Sequence, residues 1–104
     1  MNKEETLYLE IGKSLSGAIQ SQMFGKPCFK INGKAFICFF QNEMVFKLNG
    51  DFHKEAIALG GAKLFDPSGK NRAMKEWVQV PFSYKNKWTE FAKASFVYII
   101  QVNK

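Results

Sequence analysis

The side chains suited to bond-making chemistry are few and scattered. The chain has one histidine, His53, and two cysteines, Cys28 and Cys38. A zinc site gathers four ligands, usually in closely spaced His or Cys pairs. Here no second His exists, and the two Cys sit ten residues apart on one hairpin. A Cys nucleophile needs a base held in place by a third group, and nothing in the sequence sets Cys38 and His53 in such an order. Ser68-Gly69-Lys70 is similar to the end of a phosphate-binding loop, but it lacks the earlier glycine and the Ser or Thr after the lysine. Asp51 and Asp66 stand at a helix start and a turn, where Asp serves the backbone. The expectation is a protein with no catalytic centre, no metal and no cofactor.

Basic groups are the next candidates. The net charge is +6, and it is uneven. Residues 1–52 carry six Lys against five acids, and residues 53–104 carry nine basic groups against four acids. Lys70, Arg72, Lys75, Lys85, Lys87 and Lys93 would form a patch on which Trp77 or Trp88 offers a stacking surface. No helix-turn-helix pattern and no RNA-fold signature accompanies them. Weak, nonspecific nucleic-acid binding is therefore the alternative reading rather than the first.

The elements that must position these residues follow from periodicity. Asn2 reads as a helix N-cap with Glu5 as its partner three residues on. Leu7, Ile11, Leu15 and Ile19 then recur every four residues, which predicts a helix from Lys3 to Ile19, with Gly12 and Gly17 as weak points. Gln22 to Ile31 reads as a strand. Asn32-Gly33 is a strong hairpin signal, because both turn positions favour positive φ. Lys34 to Gln41 returns, Asn42-Glu43 turns again, and Met44 to Asn49 comes back.

Asp51 caps a helix from Phe52 to Leu59, which Gly60-Gly61 stops. Lys63-Leu64-Phe65 is a short strand, Asp66-Pro67-Ser68-Gly69 a type I turn, and Ala73 to Val80 a fifth strand ended by Pro81. Ser83 caps a last helix on which Tyr84, Trp88, Ala92, Ser95 and Ile99 share a face. The β-branched and aromatic tail Phe96 to Val102 would also suit a strand, but the helical period persists. The order α-β-β-β-α-β-β-α predicts an α+β fold, a two-layer α/β sandwich with a five-stranded antiparallel sheet and helices on one side.

Pairing arithmetic assigns the faces. Tight turns at Asn32-Gly33 and Asn42-Glu43 set Phe29 opposite Phe36 and Phe40 opposite Val45, and opposed residues share a face. One face then holds Cys28, Lys30, Ala35, Ile37, Phe39, Met44, Phe46 and Leu48, and it is the expected core. The other holds Pro27, Phe29, Ile31, Lys34, Phe36, Cys38, Phe40, Val45 and Lys47. Three helices do not cover both faces of a five-stranded sheet. Some of Phe29, Phe36, Phe40 and Val45, with Lys47 among them, are therefore expected to stay open as a docking surface for a protein partner, a second copy or an apolar ligand, unless the last helix or the Leu64–Trp77 hairpin folds over them. The two Cys fall on opposite faces in this register, so no disulfide is expected.

The totals set the frame. A chain of 104 residues that is 46% hydrophobic and 23% charged reads as one domain over 1–104, large enough to bury one core. Its start, Met1-Asn2-Lys3-Glu4-Glu5-Thr6, has no apolar stretch of the secretory kind. The apolar runs Ala35 to Phe40 and Phe96 to Ile100 are too short to span a bilayer. A cytoplasmic protein with reduced thiols and no membrane contact is expected.

Four segments also carry a family likeness: Met23-Phe24-Gly25, Gly33 to Phe36, Met44 to Leu48, and Met74-Lys75-Glu76-Trp77-Val78-Gln79-Val80-Pro81. In order and spacing they resemble the N-terminal domain of the TfoX (Sxy) competence-regulator family, over roughly Leu15 to Ile99. Lys26-Pro27 stands where that family often has Gly-Tyr. The resemblance implies a two-layer α/β sandwich similar to secretion chaperones and a role as an accessory in transcription or competence-type regulation. Full-length members carry a second, C-terminal domain. The resemblance implies no catalytic residues, and hence a non-enzymatic interaction domain.

Overall fold

The computed structural model describes residues 2–102. The Asn2 side chain accepts a hydrogen bond from the Glu5 backbone N–H at 2.8 Å, so the expected cap forms and α1 runs Lys3–Lys13. The helix is shorter than its four-residue period suggests. Ser14 closes it with a hydroxyl that donates to the Ile11 carbonyl at 2.6 Å, and Gly17 turns the chain at φ +89°. Ile19–Met23 is then a strand, β1. Ile19 is 68% exposed there, not on a buried helix face.

Phe24-Gly25 makes the hairpin turn from β1 to β2, with both residues at positive φ. β2 spans Lys26–Ile31, β3 Lys34–Phe40 and β4 Glu43–Lys47. The sheet thus has six strands, not five. What reads in the sequence as one strand from Gln22 to Ile31 is the end of one hairpin arm and the whole of the next.

α2 follows at Gly50–Ile57 with Asn49, not Asp51, at its N-cap. β5 (Lys63–Phe65) and β6 (Met74–Val80) flank the expected turn, in which the Gly69 N–H donates to the Asp66 carbonyl at 3.2 Å. A 3-10 turn at Phe82–Tyr84 leads into α3, Lys85–Val102, which stays helical through the aromatic tail. The strand order is β1-β2-β3-β4-β6-β5 with every neighbouring pair antiparallel. All three helices pack on one side, so the fold is α+β with an open antiparallel sheet.

The register of β2 against β3 decides what the rest of the sheet does. Ile31 pairs with Lys34 and Lys30 with Ala35, as the Asn32-Gly33 turn requires. Phe29 then pairs with Ile37, not Phe36, and Cys28 with Cys38. Phe36 is the extra residue of a β-bulge, which re-aims the side chains beyond it. Phe36 and Ile37, consecutive in sequence, are both fully buried in the helix-side core. Phe36 meets the Phe96 ring of α3 edge-on at 5.5 Å.

The slip carries Phe29 and Ile31 to the helix side as well, and it moves Cys28 to the outer side. This overturns the expected exposure of Phe29 and Phe36. The turn between β3 and β4 also differs, since Gln41 and Asn42 hold the positive φ values. That moves the β3–β4 pairing by two residues, an even number. Phe40 and Val45 therefore keep the outer face expected of them, with Cys38 opposite Val45 and Phe40 opposite Glu43.

The helix-side core closes tightly under α1. A Cβ at Gly12 would lie 2.1 Å from the Phe29 ring. The glycine that weakens the helix is therefore what lets α1 lie on the sheet. Tyr8, on the same helix face, packs between Phe29 and Phe39 at centroid distances of 5.3 and 5.2 Å.

Candidate interaction surfaces

The outer face of the sheet has its own small core: Cys28, Cys38, Val45, Phe65 and Trp77, bordered by Met23, Ala35, Phe40 and Met74. Phe65 closes it. Its ring lies edge-on to Phe40 at 5.3 Å and 6.4 Å from Trp77. β5 changes register against β6 between Leu64 and Phe65, and the β5–β6 hairpin brings Phe65 over the face. Of the five residues expected to receive a partner, Phe29, Phe36 and Val45 are buried within the chain itself, and Phe40 and Lys47 are half-buried. Lys47 lies 3.9 Å from the Glu76 carboxylate and 6.0 Å from the centre of the Trp77 ring. It covers the outer core with its alkyl stem. The sequence allowed for this cover, but which residue would supply it depends on a slip that alternation does not reveal.

A cavity of about 560 Å³ remains beside that core, lined by Phe40, Lys63, Asp66, Ser68, Asn71 and Gln79 among others. Asp66, Ser68 and Gln79 among its polar groups are already hydrogen-bonded within the chain. The Asp66 carboxylate accepts the Ser68 hydroxyl at 2.9 Å and the Gly69 N–H at 3.1 Å. These bonds, the Ser68 one foremost, hold its pKa below the usual carboxylate value. The buried Gln79 amide donates to Glu43 at 2.7 Å.

Lys85 stands apart from Lys70, Arg72 and Lys75. Lys70, Arg72 and Lys75 lie in the β5–β6 loop and at the start of β6, whereas Lys85 follows its far end. Five residues of β6, Glu76 to Val80, lie between Lys75 and the end of the strand, about 17 Å. Lys87 donates to the Glu55 carboxylate at 2.9 Å, a bond that raises its pKa. Lys85 lies 5.3 Å from the centre of the Phe82 ring. Trp77 and Trp88, the expected stacking surface, are both buried.

His53 is tied to the backbone, and Cys28 and Cys38 lie opposite each other on β2 and β3. The His53 Nε2–H donates to the Lys75 carbonyl at 2.7 Å, tying α2 to β6. Among the described residues no three His, Cys, Asp or Glu side chains gather as metal ligands, and no helix is long and apolar enough to cross a membrane. Burial pushes both thiols up, Cys38 further than Cys28, and Lys30 works against the rise at Cys28. Tyr8 is raised as well, by burial first and then by the nearby thiols and Glu5.

A further opening lies elsewhere, between α2 and α3. A groove of about 630 Å³ is lined by Asn49 and Phe52 on one side and by Thr89, Glu90, Lys93, Ala94, Val97, Tyr98 and Gln101 on the other. Phe52 is 43% exposed and Val97 51% exposed. On α3 these residues recur at three- and four-residue spacing over about 18 Å of helix. Ala94 and Val97 form an apolar strip, and Glu90, Lys93 and Gln101 edge it. The Tyr98 hydroxyl donates to Glu76 at 2.5 Å, and this bond is the main cause of the raised Tyr98 pKa. Sequence reasoning missed this site. Val97 sits inside a segment that suits strand as well as helix, and Phe52 reads as core by composition alone.

No family model, no curated protein and no solved structure matches this chain.

Proposed function

We propose that the chain is a non-enzymatic, cytoplasmic protein-interaction domain whose docking surface is the α2–α3 groove, and that its occupant is an amphipathic helix of a partner protein. The observation that carries this reading is that Phe52 and Val97 stay open across the groove while the sheet's aromatic rings are spent on the chain's own two cores. An apolar strip with polar edges, several helical turns long, matches the helix-in-groove mode of recognition. The small side chain of Ala94 lets a second backbone come close. The resemblance to the TfoX N-terminal domain supports the same class of role, an accessory in transcription or competence-type regulation.

The test is a photoreactive phenylalanine at Val97, used in cells, with the same probe at Lys13 as a control. The expected result is a defined adduct at position 97 with one protein. Purified, that protein binds wild type at least tenfold more tightly than Phe52→Asp. The same adduct pattern from both probes would contradict the proposal, and adducts only between copies of the chain would replace the partner with self-association.

A second reading rests on Phe24. This ring is 61% exposed at the β1–β2 turn, on a residue held at φ 54°, where a non-glycine residue costs about 1–2 kcal/mol. Phe24 shares a cavity of about 360 Å³ with Arg72 and Met74. An open ring beside a guanidinium favours a base of single-stranded nucleic acid, and Lys70 stands two residues from Arg72 in the same loop. Binding of a labelled oligonucleotide that falls steeply with salt and drops severalfold in Phe24→Ala supports this reading. A flat salt response removes it.

A further inference from the structure

Cys28 and Cys38 are paired directly across β2 and β3. Both are buried and both are free thiols. Opposed residues of an antiparallel pair have Cα atoms about 4.5 or 5.5 Å apart, and either value lies in the range of about 4.4–6.8 Å that a disulfide spans. The bulge at Phe36 creates this alignment, since plain alternation puts the two thiols on opposite faces. We propose that Cys28 and Cys38 are a modification site, a cross-strand dithiol that a small-molecule disulfide such as glutathione disulfide oxidises to an intramolecular disulfide.

Strand position identifies the first thiol to react. Cys28 lies on the outer face of β2, one strand in from the β1 edge of the sheet. Cys38 lies one strand further in, under the outer core. Cys28 releases its proton to solvent, and its sulfur attacks one sulfur of glutathione disulfide. The S–S bond of the oxidant breaks and one glutathione thiolate leaves. Cys38 then loses its proton, attacks the Cys28 sulfur and expels the second glutathione thiolate. Two protein thiols are oxidised and one glutathione disulfide is reduced to two thiols. Burial keeps both thiolates scarce, so the reaction is slow at neutral pH and speeds up as the pH rises. The new bond fastens β2 to β3 beside the bulge and fixes their register.

The experiment uses the full chain and glutathione disulfide at mildly alkaline pH, followed by alkylation in denaturant, intact mass, peptide mapping and thermal unfolding. The expected product is a monomer lighter by two hydrogens, with a Cys28–Cys38 cross-linked peptide, a raised Tm and full reversal by dithiothreitol. Cys38→Ser should stop at a glutathione adduct on Cys28, and Cys28→Ser should take up glutathione several times more slowly. The proposal is overturned if both thiols of the folded wild type remain alkylatable after a day while the unfolded chain oxidises. It is equally overturned if only intermolecular disulfides form, or if the oxidised monomer melts below the reduced one. None of these readings on the wild type depends on whether a serine variant folds.

Discussion

The two faces of the sheet are built on different terms. The helix side is a broad core in which three helices each contribute residues, from Tyr8 and Ile11 through Ala56 to Trp88, Phe91 and Ile99. The outer side is a patch of five buried residues closed by one ring, Phe65. The helix side follows from composition and period. The outer side follows from two register slips, one at Phe36 and one between Leu64 and Phe65. A sheet can therefore be rich in aromatic residues on strands that read as two-faced without offering those rings to a partner, and the open apolar surface can arise on helices instead.

The largest effect should come from removing the lid. Phe65→Ala is expected to cost about 3–5 kcal/mol in urea unfolding, the range for deleting a buried phenyl ring. It should also make Cys28 and Cys38 react with a thiol reagent in the native state. Phe46→Ala, on the helix side against Phe91, should cost as much and leave the thiols protected. Equal thiol reactivity in both variants would erase the distinction between the two cores.

Gly12→Ala comes next. Alanine favours the helix by about 1 kcal/mol, yet its methyl group enters the space of the Phe29 ring. Overpacking of this kind costs about 1–3 kcal/mol, so net destabilisation is expected. A stabilised variant would place Phe29 away from α1.

Alkaline pH probes the two buried thiols and Tyr8 without mutation. The folded state holds the two thiols and Tyr8 protonated above their ordinary values of 9.0 and 10.0. Above those values the unfolded chain releases protons that the folded chain keeps. Stability is therefore full below pH 9 and declines above it, through the thiols first and then Tyr8. The decline approaches about 1.4 kcal/mol per pH unit for each group fully titrating only in the unfolded state. Denaturation midpoints at pH 7.5 and pH 10 measure the decline, and Cys28→Ala with Cys38→Ala should remove its first part. A flat profile would mean that the thiols are open to solvent.

The smallest effect belongs to the surface. Lys87 and Glu55 are both exposed to solvent to a substantial degree, so Lys87→Ala should change stability by less than about 0.5 kcal/mol. A larger loss would give the α2–α3 end a structural weight that the groove proposal does not assign to it.

Much of the fold was legible because local signals act locally. The Asn2 cap, the Asn32-Gly33 turn, the Asp66–Gly69 turn and the period of α3 each depend on a few neighbouring residues. The first strand was not legible, because Phe24-Gly25 does not look like a hairpin turn and Ile19 extends a helical period by coincidence. The bulge was hidden for a different reason. Ala35 to Phe40 is apolar without alternation, so every register buries something, and the packing of Phe36 against Phe96 belongs to the bulged one. The groove was hidden because exposure is a tertiary property, and nothing about Val97 or Phe52 distinguishes them from core residues in sequence.

The account turns on the bulge, and a nuclear Overhauser spectrum of the labelled protein tests it directly. The expected contacts are between the backbones of Cys28 and Cys38 and between the rings of Phe36 and Phe96. Backbone contacts pairing Phe29 with Phe36, with no contact from the Phe36 ring to α3, would contradict it and return those rings to the outer face.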